Sequence, residues 1–276
     1  MPSTRGRYFR LSLPRRWIGD LLYFARKVPT VPVERTMDLD DVQLVRERAG
    51  ISWPALFLKA FGMVAQQYPE LRFSLIQYPW SRMYEHPHSV ASVAIERVFQ
   101  GESAVFFGQI CAPESHTLES LDCELKKYKL EPVMSFGIFR RLIRMARLPL
   151  LLRRFAWWQS LNWSGSKRAK RMGTFGFSVY ASLGASSIHP LSPLSFLLNY
   201  GVIDEHGRLI VRLIYDHRVV DGAVVARALA GMEAALTGPL LDELMQLDQE
   251  SSIHEREGRD AAENFAPRRV QSLVSG

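Results

Sequence analysis

Cysteine is nearly missing from this chain, and acidic residues are missing from one long stretch of it. Among 276 residues only Cys111 and Cys123 occur, without CxxC spacing or a metal-ligand partner beside them, which excludes a disulfide framework and a zinc site. A reducing, cytoplasmic setting is expected. No run reaches the roughly 18 consecutive apolar residues that a membrane-crossing helix needs. The basic opening MPSTRGRYFRLSLPRR is not followed by an apolar stretch with a small-residue cleavage site, so no secretory signal is read there. The sequon Asn162-Trp163-Ser164 is then coincidental. P-loop, GxGxxG, HExxH and internal repeats are lacking too, which removes nucleotide cradles, dinucleotide folds and zincins. Ser182, Ser186 and Ser187 read as turn residues, since no GxSxG elbow surrounds them. His86 and His88 flank Pro87, but no carboxylate or cysteine set with ligand spacing accompanies them, and no metal is expected.

With 47% hydrophobic residues, the chain can bury a sizeable core as one large domain or two small ones. Its net charge of +7 misleads as an average, because residues 138–173 hold ten Lys/Arg and no Asp/Glu, leaving −3 for the remainder. A single basic segment on a mildly acidic body fits a local anionic partner better than a nucleic-acid surface. Nucleic-acid binding through this segment would show a steep salt dependence of affinity.

Residues 14–27 read as a helix ending before Pro29, followed by the alternating VPVERTMDL and a helix near 41–48. Ser52 is placed to cap the apolar helix SWPALFLKAFGMVAQQY, with Pro54 in its first turn and Pro69 past its end. Strands are expected at 71–78, 89–99 and 104–110, then a polar helix at 117–129. Further strands are expected at 174–182, 194–203 and 208–216, before the helix AVVARALAGMEAALT at 223–237. Strands and helices without regular βαβ alternation predict an α+β, two-layer domain with a mixed, largely antiparallel sheet flanked by helices. The expected organisation is a basic arm at 1–13, one domain at 14–248 with a basic amphipathic insert at about 135–172, and a polar tail at 249–276 that frays.

The string Tyr215-Asp216-His217-Arg218-Val219-Val220-Asp221-Gly222 lies where a nearly continuous apolar strand gives way to a helix. A histidine at such a junction can have one ring nitrogen fixed locally while the other meets a substrate, as a general base near neutral pH requires. The plainer reading is an Asp221 N-cap with a structural histidine. YDHRVVDGA resembles the active-site signature of the catalytic domain of the 2-oxo acid dehydrogenase dihydrolipoyl acyltransferases, and its HxxxDG core is shared with chloramphenicol acetyltransferase. Gly173-Thr174-Phe175-Gly176-Phe177-Ser178 is similar to the family's GTFTIS segment, with Pro190 at the family's distance after the serine. RRWIG, VPTVPVERTMDLDDVQLVRE and LFLKAFGMVAQQYPEL resemble the family's opening helix, first strand and long helix, so the likeness covers roughly residues 14–240.

The resemblance implies a chloramphenicol-acetyltransferase-like fold and a coenzyme A-dependent acyltransferase that moves groups other than aminoacyl groups. His217 would be the general base and Ser178 the oxyanion donor, with Arg218 and Gly222 supporting the motif. Asp221 would pair with an arginine to hold the loop. It also implies a homotrimer in which His217 of one chain faces Ser178 of the next. The acyl donor would be acyl-CoA; the acceptor stays open among a lipoyl or carrier-protein thiol and a small molecule or lipid. A catalytically silent scaffold of the same fold is the rival reading.

The sequence departs from the family in two places. Lipoyl and subunit-binding modules are lacking, so no covalently bound lipoyl group is expected in this chain, and Val-Tyr-Ala stands where Asn-Leu-Gly follows the family's serine. Second, FGIFRRLIRMARLPLLLRRFAWWQSLNWSGSKRAKRMG replaces a polar helix and a short loop. On a helical wheel Arg140, Arg141, Arg144 and Arg147 oppose Phe139, Leu142, Ile143 and Ala146. Such a stretch, with Trp157, Trp158 and Trp163 beyond it, lies on a membrane surface (about 138–171), lines an acyl-chain tunnel, or packs on the body with a solvated arginine face. Lys167, Arg168, Lys170 and Arg171 are candidates to hold the phosphates of coenzyme A. His189, just before Pro190 and close after the Ser178 strand, borders the substrate or sits in an ordinary loop.

Overall fold

The Ser12 hydroxyl accepts from the Arg15 backbone N–H at 3.4 Å and so caps α1 (Leu13–Ala25), which carries Pro14 in its first turn. The computed structural model describes residues 6–250; the expected tail from 251 onward and residues 1–5 of the arm lie outside the described residues. After α1 come β1 (Thr30–Asp38), α2 (Asp40–Ala49) and α3 (Trp53–Gln67). Ser52 stands at the N-cap of α3 but makes no side-chain cap; its backbone N–H donates to the buried Asp122 carboxylate at 3.1 Å instead. β2 (Phe73–Ile76) and β3 (Arg82–Glu85) form a small antiparallel sheet. His86, just past β3, is buried with its Nε2 3.0 Å from Ser74 Oγ, and burial drops its pKa to about 4.

The main sheet is completed by the hairpin β4 (Val90–Phe99) and β5 (Glu102–Cys111) and, after four helices, by three more strands. The helices are α4 (Leu118–Leu130), capped by Thr117, then α5 (Gly137–Arg147), α6 (Leu150–Asn162) and α7 (Gly165–Met172). The strands are β6 (Phe175–Phe177), β7 (Phe196–Tyr200) and β8 (Arg208–Asp216), and α8 (Gly222–Thr237) closes the sequence of elements, with residues 239–250 also helical. The strand order is β1-β8-β7-β6-β4-β5, with β6 parallel to both neighbours and every other pair antiparallel. This is the mixed, largely antiparallel α+β sheet expected from the sequence.

Strand alternation gives the sheet two different faces. On one, Ala91, Val93, Phe106, Phe175 and Tyr200 are buried in the main core, and Phe61 and Phe57 of α3 stack on Phe175 and Tyr200 at ring separations of 4.0 and 4.5 Å. α8 packs on α3 through Val225, Leu229, Met232 and Leu236, all buried. The span Gly222–Glu250 is long and apolar enough to cross a bilayer by composition, yet these positions serve the core. On the other face, Gln109, Ser92, Gly176 and Leu197 stand side by side across β5, β4, β6 and β7.

The basic insert folds as α5–α7 and covers this second face. Phe139, Ile143 and Ala146 of α5 are buried, whereas Arg140, Arg144 and Arg147 are exposed; the packed-helix reading of the amphipathic stretch therefore holds for α5. Arg141 departs from it: half-buried, it donates to the Arg171 carbonyl at 2.8 Å. α6 is tied to α1 by a buried ion pair between Arg153 and Asp20, with Arg154 3.9 Å from the same carboxylate. Its outer side leaves Leu150, Leu151, Leu152 and Phe155 exposed, Leu151 at 82%.

The strand expected at 174–182 is only three residues long. The Ser178 N–H still makes a ladder bond to Leu198 O at 3.2 Å, and the ladder stops there as the Ser178 carbonyl accepts from the Asn199 side chain Nδ2 at 2.6 Å. A helical turn at Ala181–Leu183 then carries the chain away from the sheet.

Candidate active site

β8 ends in the motif that the sequence singled out, and β1 holds that end in place. Thr30 pairs with Asp216, and the His217 N–H donates to Pro29 O at 3.2 Å. The His217 side chain is 52% exposed, its Nδ1 lies 3.7 Å from Asp221 Oδ1, and its Nε2 has no hydrogen-bond partner among the described residues. The imidazole is thus presented outward, with a carboxylate facing one nitrogen and the other open. His189 Nε2 lies 2.8 Å from Thr30 Oγ1, which anchors its loop at the same end of the sheet.

The acid that locks this loop is Asp216, to which the sequence reading gave no role. It is buried and takes Arg218 in a two-pronged pair, Nε to Oδ1 at 2.9 Å and Nη2 to Oδ2 at 2.8 Å, and also accepts the Arg218 backbone N–H at 3.1 Å. The side-chain hydrogen bond to Asp216 raises the Arg218 pKa. Asp221 occupies the N-cap position of α8 without a side-chain cap, is 87% exposed, and has no arginine partner among the described residues. Within one chain the neighbouring Arg218 is taken by the buried Asp216 and not by the exposed Asp221. A Cβ on Gly222 would meet the Tyr215 hydroxyl at 3.0 Å, so glycine lets this tyrosine pack against the start of α8.

Ser178 follows β6, which β7 separates from β8 in the sheet. Gly173, at φ 85°, turns the chain out of α7 where a Cβ would meet Val90 O at 2.9 Å. Thr174 then sets the register, accepting the Val90 N–H at 2.8 Å through Oγ1 while its own N–H donates to Val90 O at 2.8 Å. Four residues later the Ser178 hydroxyl, half-buried, has no hydrogen-bond partner among the described residues and lines a cavity of about 310 Å³. Leu21 and Leu22 of α1, Leu142 and Met145 of α5 and Trp157 of α6 form much of its wall. His217 does not line it, so within one chain the structure does not bring the candidate base and the candidate oxyanion donor together.

The four basic candidates of α7 divide. Arg168 is 5% exposed and its guanidinium donates to Leu75 O at 3.1 Å, Leu161 O at 3.2 Å and Pro193 O at 3.3 Å. Burial draws its pKa down to about 10, with Asp216 opposing and Arg218 adding to the shift. It braces α6, β2 and the 190s loop beneath the His217 motif, and is not available on the surface. Arg171 is half-buried, directed at Gln159 Oε1 and Ser160 Oγ at 3.4 and 3.3 Å, and lines the cavity. Lys167 and Lys170 are exposed.

No protein-family model matches the chain, and neither does any curated protein sequence. Solved structures do match in fold. A probable dihydrolipoamide acetyltransferase from Listeria monocytogenes superposes with a TM-score of 0.59 at 12% identity, covering 85% of this chain and 96% of the other. The dihydrolipoamide acetyltransferase of Azotobacter vinelandii, studied for the roles of a serine, a histidine and an asparagine in its mechanism, gives 0.61 at 17% identity over 85% and 92%. A truncated catalytic core of the 2-oxoacid dehydrogenase complex from Thermoplasma acidophilum gives 0.59 at 16% identity over 85% and 99%. The chain has the fold of these catalytic cores.

Proposed function

We propose that the chain is a coenzyme A-dependent acyltransferase whose active site forms between neighbouring subunits of a homotrimer. The observation that carries this reading is the pair of open groups in one chain: the His217 Nε2 without a partner at one end of the sheet, and the unpartnered Ser178 hydroxyl on the wall of an apolar cavity. In the proposed reaction His217 Nε2 of one subunit takes the proton from the acceptor thiol, hydroxyl or amine. The acceptor attacks the thioester carbonyl carbon, and the resulting oxyanion accepts the hydrogen bond of Ser178 from the next subunit. Collapse breaks the C–S bond, and the leaving CoA thiolate recovers the proton from the imidazolium. Arg218, Asp216 and Gly222 hold the loop, Asp221 faces His217 Nδ1, and the exposed Lys167 and Lys170 are available to the CoA phosphates. The free thiols of Cys111 and Cys123 suit a cytoplasmic setting.

Release of free thiol from a series of acyl-CoAs, with dihydrolipoamide and a pool of alcohol and amine acceptors, tests this directly. Wild type is expected to turn over, and Ser178→Ala to lose roughly 10²–10³-fold, the usual cost of one oxyanion donor. No thioester consumption by a persisting oligomer would make the chain a scaffold of the same fold. The exposed Leu150–Leu152 and Phe155, with Arg147 exposed and Arg154 half-buried nearby, favour a peripheral contact with an anionic membrane. Flotation with anionic liposomes is expected to carry wild type and to lose Leu151→Glu; equal recovery of both would remove the membrane contact.

A further inference from the structure

The floor of the cavity beside Ser178 is made of unusually small side chains for a sheet. Ser92 and Ala94 of β4 and Gly176 of β6 lie among the larger Phe107, Gln109 and Leu197 of their neighbours, so the space above the middle strands is not filled from below. A Cβ on Gly176 would meet Leu197 Cδ1 at 2.5 Å. Above this floor stand the apolar sides of α1, α5 and α6. At about 310 Å³ the space reaches the lower end of ligand pockets, and it admits on the order of ten carbon groups if each takes about the 30 Å³ of a liquid water. Two of its lining residues are charged, Arg141 and Arg171, and no carboxylate lines it. Neither arginine has a carboxylate within 4 Å among the described residues. Burial lowers the Arg141 pKa, and Arg171 and Arg144 lower it further.

We propose that this cavity seats an aliphatic chain of on the order of ten carbons, carried on an anionic molecule. The inference rests on the acyl-transfer reading for its two sources, the acyl group of the thioester or the alkyl group of the acceptor. Apolar walls exclude polar acyl groups, and the two unneutralised guanidinium groups favour a carboxylate or phosphate on the same molecule over a cation.

The test is calorimetric titration of the full chain with acetyl-CoA, decanoyl-CoA, decanoate, 1-decanol and decylamine. Repeats on Ala94→Phe and Ser92→Leu each fill the floor from a different position. Decanoyl-CoA is expected to bind at least tenfold more tightly than acetyl-CoA, and either filling variant that folds by circular dichroism should cut that ratio at least tenfold. Decanoate is expected to bind more tightly than decylamine. Loss of 1-decanol binding in the filled variants, with no chain-length advantage among the thioesters, would assign the chain to the acceptor. A wild-type ratio near one together with no binding of decanoate or decanol overturns the proposal. So does a ratio of tenfold or more that both substitutions, correctly folded, leave untouched. Binding needs no turnover, so a chain-binding protein that consumes no thioester would keep the cavity's assignment and remove the transfer reading alone.

Discussion

Replacing His217 by alanine is expected to lower acyl transfer by about 10²–10⁴-fold, the range that positioned acid–base groups supply. The loss should fall on kcat, because the exposed imidazole is placed to move a proton and not to hold the body of the thioester. A thiol acceptor of pKa near 8.5 is only a few per cent ionised at neutral pH, so without the base the reaction depends on that small fraction, and raising the pH should recover part of the rate. Added imidazole should recover part as well. Asp216→Ala is a different kind of variant: it frees Arg218 and removes the opposite charge nearest to the buried Arg168, so its effect should appear in stability together with rate. A His217→Ala protein within tenfold of wild type would show that the imidazole is not the base.

Asp20→Ala is expected to destabilise the fold by about 3–5 kcal/mol, the cost of leaving one member of a buried ion pair without its partner. Arg153 is buried against Asp20, and Arg154 reaches the same carboxylate. Removing the acid leaves a buried guanidinium whose other hydrogen bond among the described residues is to the Leu148 carbonyl at 3.4 Å. Urea unfolding should show the loss as a lower midpoint at unchanged slope. Replacing Asp20 and Arg153 together by leucine should cost much less than the single change, because no charge is then buried alone. A single variant as stable as wild type would mean that α6 is held to α1 by its apolar contacts, Phe24 on Trp157 foremost.

Much of the framework could be read along the chain. β8 matches its apolar run residue for residue, and α3 starts and stops at its prolines as local rules require. Other elements depend on partners that periodicity does not reveal. Val179-Tyr180-Ala181 continues the alternation of β6, but the Asn199 side chain takes the Ser178 carbonyl and the strand ends there. Arg82–Glu85 is too short and polar to announce a strand and exists by pairing with Phe73–Ile76. The site divides in the same way. His217, Ser178 and Gly222 are legible as motif residues, whereas the role of Asp216 follows from its burial beside Arg218. KRAKR reads as a cluster of candidate phosphate ligands, yet three carbonyls draw Arg168 inside. The cavity is invisible because Ser92, Ala94 and Gly176 come together only through the register of β4 with β6.

The central claim is that one subunit supplies His217 and its neighbour Ser178, and complementation tests it most directly. His217→Ala and Ser178→Ala chains, each strongly impaired alone, are co-expressed with different tags and the mixed oligomers purified through both. A cyclic trimer that holds both chains has about one interface in three that pairs an intact His217 with an intact Ser178. Recovery of roughly that share of wild-type thiol release is the predicted result; mixed oligomers no more active than either parent would contradict a site shared between subunits.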